Sequence, residues 1–243
     1  MLQNIKELYG HKLAALDGDI GHVKDFYFDD QGWAIRFLVV DAGAWLPGRL
    51  VLLSPHAFGQ WDHVEKTLHI NLKKEQIQNS PSIESHRPVS RQFEIEYYHY
   101  FGLPAYWEGG GLWGLFGHPV LVVPPSKEEV IAHLKVQHDQ DEKHLQNTQA
   151  ITGFNIQALD ETIGHVSGFM VDDTSWEIRE LVVETGHWHL GKEILISPNK
   201  VEQISYKESK VFVTITKSDI QQTAENDVAK AGVEGPGVET ATS

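Results

Sequence analysis

The histidines at positions 187 and 189 are the residues whose type and spacing most directly suggest chemistry. They flank Trp188, and alternate residues of a strand point to the same face. Two imidazoles on one face could bind a metal ion such as zinc. No third ligand stands at a recognisable spacing, so a pair of surface histidines in a loop is the alternative. His187 and His189 are therefore weak metal candidates, and we expect neither a cofactor nor a resident metal.

Other residue patterns that support catalysis are not recognisable in the sequence. The chain has no cysteine, which excludes disulfides, thiolate metal sites and cysteine nucleophiles. Ser54 and Ser197 precede prolines outside any G-x-S-x-G context. Gly109–Gly111 lacks the Lys-Ser/Thr pair that completes a phosphate-binding loop. We therefore expect a protein that is not an enzyme.

The charge of the chain limits the classes of partner. The formal net charge is −14, and 14 histidines would add positive charge on acidification. A nucleic-acid-binding protein normally carries a basic stripe, which is missing here. Protein partners with neutral or basic surfaces, or a second copy of the chain, fit this charge better. The sequence begins without a signal-peptide pattern and has no apolar run that predicts a spanning helix, so we expect a cytoplasmic protein.

A duplicated stretch organises the fold. Ile20–Pro55 and Ile163–Pro198 share glycines, paired aspartates, tryptophans and an aliphatic run at positions 143 apart, with no gap. Each copy predicts a β-hairpin, a Trp-bearing loop and a further strand, because short β-branched runs alternate with turn residues. Such closely spaced short strands are typical of a small barrel or sandwich. The sequence therefore predicts a mainly β fold with a few helices, made of two small antiparallel β-barrels in tandem and a helix-containing linker.

Four parts are predicted along the chain. They are a first repeat at residues 1–79, a linker at 80–148, a second repeat at 149–222 and a disordered acidic tail at 223–243. In the linker, Ser90–Phe101 predicts a helix with Ser90 as N-cap, Gly102 as C′ residue and Pro104 beyond. A Gly/aromatic loop follows at Tyr106–Gly117. Ser126 and Glu129 then form a capping box that begins a second helix, predicted to continue through Gln146.

The linker contains the densest aromatic cluster of the sequence. An exposed aromatic patch would dock a protein partner or a second protomer. Packing of the linker on the repeats is the alternative. The candidate partner-binding residues are Tyr97, Tyr98, Phe101, Tyr106, Trp107, Trp113 and Phe116.

Two arginines at equivalent positions stand in phase with the aliphatic residues of their strands. A guanidinium on such a face needs a carboxylate partner, so Arg36 and Arg179 are predicted to form structural ion pairs. The available carboxylates are Asp25, Asp41, Asp160 and Glu184. Recognition of a partner by these arginines is the alternative.

His22 and His165 form another equivalent pair, each beside a glycine. A polar residue satisfied at a strand edge is one interpretation. A pH-responsive interface is the other, since histidine titrates near neutral pH.

The duplicated stretch resembles the PRC-barrel family. The resemblance rests on the course I-G-x-V-x-D-F … D … W-x-I-R-x-L-V-V-D-x-G-x-W-L-P-G-R-x-V-L-I-S-P over Ile20–Pro55, which recurs over Ile163–Pro198. The linker stretch Pro88–Trp107 is similar to that of stand-alone tandem PRC-barrel proteins. The family is named for the cytoplasmic domain of the photosynthetic reaction centre H subunit and includes a domain of a ribosome-maturation protein. From the sequence we expect neither the spanning helix of the former nor the additional N-terminal barrel of the latter.

The resemblance implies an adaptor or structural role with no known reaction. We therefore expect a non-catalytic scaffold or partner-binding protein that binds protein partners or itself, as a homo-oligomer. An accessory protein of a photosynthetic or electron-transfer complex is the alternative. An uncharacterised enzyme is a second alternative, which a pocket with perturbed carboxylates would favour.

Overall fold

The structure is a computed structural model that describes most of the chain. The described residues are 1–82, 89, 91–107, 109–120, 145–185 and 193–220. They form a mainly β protein with two seven-stranded sheets, so the predicted mainly β fold class is confirmed. The acidic tail at 223–243 and all but the last two residues of the helix predicted from Ser126 lie outside the described residues.

The first sheet consists mainly of strands from the first repeat. These strands are β2 (Lys12–Ala15), β3 (Gly18–Asp29), β4 (Ala34–Asp41), β5 (Leu50–Leu53), β6 (Phe58–Asp62), β7 (Thr67–Ile70) and β8 (Leu145–Asn147). Their order is β5-β4-β3-β2-β7-β6, and β8 pairs with β3 beside this path. The register places Val23 opposite Val40 and Leu38 opposite Leu53, so aliphatic side chains meet across three neighbouring strands.

The second sheet repeats this arrangement. Its strands are β1 (Leu2–Asn4), β9 (Asn155–Gln157), β10 (Thr162–Asp172), β11 (Ile178–Thr185), β12 (Glu193–Ile196), β13 (Val201–Ser205) and β14 (Lys210–Val213). The order is β12-β11-β10-β9-β14-β13, with β1 on β10. Every strand thus occupies the place of its sequence equivalent in the first sheet.

Both sheets are mainly antiparallel, as predicted, but each also contains a parallel strand pair. β2 pairs in parallel with β7, and β9 pairs in parallel with β14, while the hairpins are antiparallel. The first and last parts of each repeat are far apart in sequence, so their strands need no tight turn and can align in parallel. Among the described residues, no pair joins the two ends of either strand path to close a barrel.

The paired aspartates open the central hairpins as predicted. The Asp29 side chain accepts a hydrogen bond from the Gln31 amide at 2.9 Å, and Asp172 accepts one from the Ser175 amide at 2.8 Å. Such aspartate turns replace a backbone turn with a side-chain acceptor. Each loop ends on a tryptophan with positive φ, 51° at Trp33 and 58° at Trp176. Positive φ is uncommon for a bulky residue, and its recurrence shows that both copies use the same turn.

Short helices connect the strands. The helices are α1 (Lys74–Gln78), α2 (Arg91–Phe101), α3 (Thr148–Ile151) and 3₁₀ turns at Ile5–Leu8, Pro55–Ala57 and Pro198–Lys200. The predicted C′ residue Gly102 has φ 64°, and the Leu103 amide donates to the Tyr98 carbonyl at 2.9 Å, which closes the helix end. The predicted N-cap Ser90 is not among the described residues. None of the described helices is long and apolar enough to span a bilayer.

Strand β8 differs from the prediction, which continued a helix through Gln146. Leu145–Asn147 instead pairs with β3, and Leu2–Asn4 pairs with β10. A strand of three residues is too short to show an alternating pattern, so periodicity could not reveal it.

The chain divides into two compact units that do not follow the repeat boundaries. The first contains Met1–Thr152 together with Gly168–Leu181, and the second contains Gly153–Ser167 together with Val182–Ser243. The tip of the β10–β11 hairpin thus belongs to the first unit. The core of the first unit includes Leu13, Ile20, Phe26, Phe28, Ile35 and Phe169, and that of the second includes Ile156, Ile163, Val166, Val183 and Val211. Burying each such side chain contributes about 2 kcal/mol.

Gly21 allows β3 to approach β4 closely. Its φ is 123°, and a Cβ at this position would overlap the carbonyl oxygen of Asp41. Gly164 has the same relation to Glu184 in the second unit. Only glycine fits such an approach without displacing the neighbouring strand.

We predict that Gly21→Ala lowers the free energy of unfolding by about 2 kcal/mol or more, because it combines a steric overlap with a strained φ. Urea unfolding followed by tryptophan fluorescence measures this change. Gly110→Ala is the control, since open space surrounds Gly110, and its effect should stay within about 0.5 kcal/mol. Equal effects of the two substitutions would contradict the close approach at Gly21.

Candidate functional site

A buried arginine lies at the centre of the candidate site. Arg36 on β4 is 2% exposed, and its Nη2 donates to the Asp29 carboxylate at 2.9 Å. Its Nη1 donates to the carbonyl of Leu112 at 2.7 Å. The guanidinium lies 3.7 Å from the ring centre of Tyr106 and 4.7 Å from that of Trp113. Arg36 therefore forms an ion pair, but with Asp29 rather than with any carboxylate considered from the sequence.

Tyr106 connects this ion pair to a second one. Its hydroxyl donates to Glu94 at 2.6 Å, and the other Glu94 oxygen lies 3.1 Å from Arg91. Arg91 in turn lies 4.3 Å from the ring centre of Trp107. Burial, and secondly the Glu94 charge, raise the pKa of Tyr106 well above its ordinary value. Tyr106 therefore stays protonated and donates to Glu94 at all physiological pH values.

His56, in the 3₁₀ turn Pro55–Ala57 that follows β5, lies near the arginine. Its side chain is 3% exposed, its Nδ1 lies 2.9 Å from the Ser54 hydroxyl, and its ring meets Trp113 edge-on at 4.9 Å. Burial, and secondly the Arg36 charge, lower the pKa of His56 from 6.5 to about 4. His56 is consequently neutral at pH 7. Ser54 is fully buried as well, so this hydroxyl–imidazole pair offers no surface at which a substrate could react.

Aromatic side chains of helix α2 pack against Phe37 of β4. Phe37 lies 4.9 Å from the ring centre of Tyr97 and 6.2 Å from those of Phe93 and Tyr98. The Ser54 amide donates to the Tyr97 hydroxyl at 2.9 Å. The aromatic side chains of the linker thus cover the first sheet, which explains why every residue of β4 except Asp41 is buried.

The described residues of the second repeat do not build an equivalent site. Arg179, the counterpart of Arg36, pairs with Glu177 at 3.0 Å and its side chain is 49% exposed. A Cβ at Gly32 would lie 2.9 Å from both Arg36 and Asp29, so glycine leaves room for the guanidinium. Ser175 occupies that position in the second repeat. Its hydroxyl lies 3.1 Å from Asp172, the counterpart of Asp29.

The predicted docking residues divide into a buried and an accessible group. Tyr97, Tyr98, Tyr106 and Trp113 are at most 5% exposed, so they form no exposed patch. This corrects the prediction for these four residues and agrees with the alternative of linker packing. Phe101 and Trp107 are half-buried and Phe116 is 38% exposed, so a docking role for these three stays a prediction. Leu115, which no pattern in the sequence singles out, is 84% exposed.

Leu115 lies at the tip of a tight turn, residues 109–117, which we call the glycine–aromatic turn. The Gly111 amide donates to Gly114 at 2.6 Å, and the Trp113 amide donates to Phe116 at 2.9 Å. The Trp113 side chain is buried, and its Nε1 donates to the Ser175 carbonyl at 2.8 Å. Two cross-turn bonds and a buried anchor thus hold an exposed leucine in a defined position.

The histidine candidates are not brought into a metal site by the described structure. No group of three or more His, Asp or Glu side chains suited to a metal ion occurs among the described residues. His187 and His189 lie outside them. His22 is exposed, and His165 lies 3.6 Å from Glu184 with both side chains about half exposed. A pH-responsive role for His22 and His165 remains a prediction.

Comparison with known proteins identifies one family. Residues 150–220 match the PRC-barrel domain family, so a PRC-barrel domain is present in the second repeat. The matched residues are fewer than a third of the chain and do not include the first repeat or the arginine site. No curated protein matches the chain significantly.

We predict that Arg36→Met lowers the free energy of unfolding by about 3–5 kcal/mol, because it leaves the Asp29 charge buried and unpaired. Arg179→Met, at the equivalent and exposed position, should change it by less than about 1 kcal/mol. Urea unfolding at pH 7 measures both variants. Similar losses of unfolding free energy in the two variants would contradict a stabilising role of the buried Arg36–Asp29 ion pair.

The pKa of His56 predicts a pH dependence of stability. Because this pKa is about 4 in the folded protein and 6.5 in the unfolded chain, the unfolded chain binds more protons between these values. The free energy of unfolding should therefore fall as pH drops from 6.5 to 4, by about 3 kcal/mol at most.

His56→Asn should remove most of this pH dependence, since Asn does not titrate and Asn199 stands at the equivalent position of the second repeat. Unfolding at several pH values measures the slope. His69→Asn, which replaces an exposed histidine, should leave the slope unchanged. The assignment fails if the slope persists in His56→Asn.

Proposed function

We propose that this protein is a non-catalytic, partner-binding scaffold and that the glycine–aromatic turn is its docking element. The observation that carries the proposal is Leu115, an apolar side chain 84% exposed at the tip of a tightly held turn. The presence of a PRC-barrel domain at residues 150–220 supports a scaffold role. An exposed leucine has a free-energy cost that burial against a partner would recover.

The arrangement around the turn favours docking over simple packing. Arg36 binds the Leu112 carbonyl and Trp113 fills the interior beside it, so the residues preceding the tip are anchored. A preorganised turn loses little conformational entropy on binding, which raises affinity for a given contact area. Phe116, next to Leu115 and partly exposed, extends the apolar contact.

The chemistry of the turn indicates the kind of partner. Residues 109–117 contain no charged side chain, so the contact itself is apolar. The net charge of −14 favours a partner surface that is neutral or basic around this contact. We therefore propose a protein partner with an apolar pocket in a neutral or basic surface.

The tandem arrangement is part of the proposal. The first repeat has the same strand order as the second, and its hairpin loop ends on a tryptophan of the same positive φ. These similarities support a second PRC-barrel-like repeat at residues 1–79. A cytoplasmic location, a homo-oligomeric state and an accessory role in a photosynthetic or electron-transfer complex stay predictions.

A photo-crosslinking amino acid at position 115 tests the docking element. We expect a discrete adduct at position 115 but not at position 64, where Val64 is also highly exposed. Excess unlabelled wild-type protein should suppress the adduct, whereas excess Leu115→Ser protein should not. Leu115→Ser should leave the unfolding free energy within about 0.5 kcal/mol, since the side chain is on the surface.

Crosslinking with purified protein alone and crosslinking in the native lysate distinguish a second copy of the chain from another protein. An adduct of twice the chain mass with purified protein alone would identify a second copy as the partner. An adduct formed only in the native lysate, with the same competition pattern, would identify another protein. Equal labelling from positions 115 and 64, or suppression by Leu115→Ser protein, would overturn the proposal.

A further inference from the structure

Two three-residue strands, β1 and β8, each pair with the half of the chain to which they do not belong. The halves are residues 1–117 and 118–243. Leu-Gln-Asn occurs at residues 2–4 and again at 145–147. β1 lies before the other strands of the first repeat but pairs with β10 of the second, while β8 lies before the strands of the second repeat but pairs with β3 of the first. All these residues belong to the first compact unit. Each half thus contributes a strand to the hairpin of the other half, so the exchange is reciprocal.

The registers of the two exchanged strands are equivalent. Leu2 lies opposite Asp172, and Leu145 lies opposite Asp29. The partner residues are 143 positions apart, as are the two leucines. Register is a specific property of a strand pair, because a shift by one residue turns every side chain to the other face. Each hairpin edge therefore recognises the same sequence in the same way.

The residues after each strand return the chain to its own repeat. The Asn4 side chain accepts from the Lys6 amide at 3.1 Å, and that of Asn147 accepts from the Ala150 amide at 2.8 Å. A short helical turn follows in both copies. The chain then joins its own sheet, where the Gly10 amide donates to Val23 and the Gly153 amide to Val166, both at 2.8 Å.

The hairpin tips form a second reciprocal contact. The Ile35 amide donates to the Trp176 carbonyl at 2.8 Å, and the Ile178 amide donates to the Trp33 carbonyl at 2.7 Å. Beside them, the rings of Phe28 and Phe169 lie 5.4 Å apart and are both fully buried. These non-covalent contacts join residues before position 118 to residues after it.

A single repeat would lose both sets of contacts at once. Its Leu-Gln-Asn strand would have no hairpin, and its hairpin would present an unpaired edge and an exposed phenylalanine. Unpaired strand edges readily add another strand, and buried backbone groups need partners. A second repeat with the same signature satisfies each of these groups.

We propose that the two halves of this chain form a self-complementary pair that assembles without their covalent connection. The strand edges at Met170–Asp172 and Tyr27–Asp29 are then binding sites for a Leu-Gln-Asn strand that precedes a repeat of the same kind. The partner that this fold accepts is a second repeat, supplied within the chain here and equally by a separate polypeptide.

Cleavage of the folded full-length chain tests the proposal. A protease recognition sequence is inserted between Gly117 and His118, both exposed, and the purified protein is cut. We expect the two fragments to co-elute at the mass of the uncut chain in size-exclusion chromatography with light scattering, at about 1 µM, which corresponds to a binding free energy near −8 kcal/mol. Separation or precipitation of the fragments after cleavage would overturn the proposal.

A proline pair separates strand exchange from other contacts between the fragments. The Asp173 amide donates to the Met1 carbonyl, so Met1 and Asp173 are a hydrogen-bonded pair of the antiparallel ladder. Hydrogen-bonded and non-hydrogen-bonded pairs alternate along such a ladder, so Gln3 and Val171 form the next hydrogen-bonded pair. The Leu2 amide between them points away from β10. Gln3→Pro should weaken association of the cut fragments about tenfold or more, because it removes a ladder donor. Leu2→Pro should weaken it less than about threefold. Equal dissociation constants for the two variants would show that β1 does not hold the fragments together.

Discussion

The buried ion pair between Arg36 and Asp29 is the interaction on which the placement of the linker depends. A guanidinium in the interior is stable only if carboxylate and carbonyl acceptors surround it. Asp29 comes from the adjacent strand, whereas Leu112, Tyr106 and Trp113 come from the linker. The requirement to satisfy one buried cation therefore fixes both the hairpin turn and the glycine–aromatic turn. Neutral His56 fits beside the cation because burial and the arginine keep its pKa low.

Divergence between the copies explains why only the first repeat carries this site. The two sheets have the same strand order, so their backbones offer the same framework. Gly32 is replaced by Ser175, whose hydroxyl hydrogen-bonds to Asp172. Phe37 is replaced by Glu180, a charged residue that does not pack against aromatic rings as Phe37 does. Arg179 then lies at the surface. Changes at these two positions separate a buried, linker-binding face from an exposed one.

The sequence predicts the framework better than the site. Long β-branched runs bounded by aspartates and glycines specify β3, β4, β10 and β11, because hydrophobic period and turn chemistry agree there. The strands β1 and β8 escape such a pattern, since three residues have no period. Their identity was nevertheless visible as the repeated Leu-Gln-Asn at the same spacing of 143 as the hairpins. The sequence also indicates the aromatic linker. It does not indicate which of the aromatic rings are buried, because that depends on their tertiary contacts with Phe37 and Arg36.

Hydrogen–deuterium exchange of the glycine–aromatic turn tests most directly whether the buried arginine holds this turn in place. Amides of residues 111–116 are compared in the wild type, in Arg36→Lys and in Arg179→Lys. Lysine keeps the charge but lacks the planar fork that reaches Asp29 and Leu112 together. Protection of the turn should fall at least tenfold in Arg36→Lys and stay unchanged in Arg179→Lys, each tenfold step corresponding to about 1.4 kcal/mol of local stability. Equal protection in all three proteins would contradict this role of Arg36.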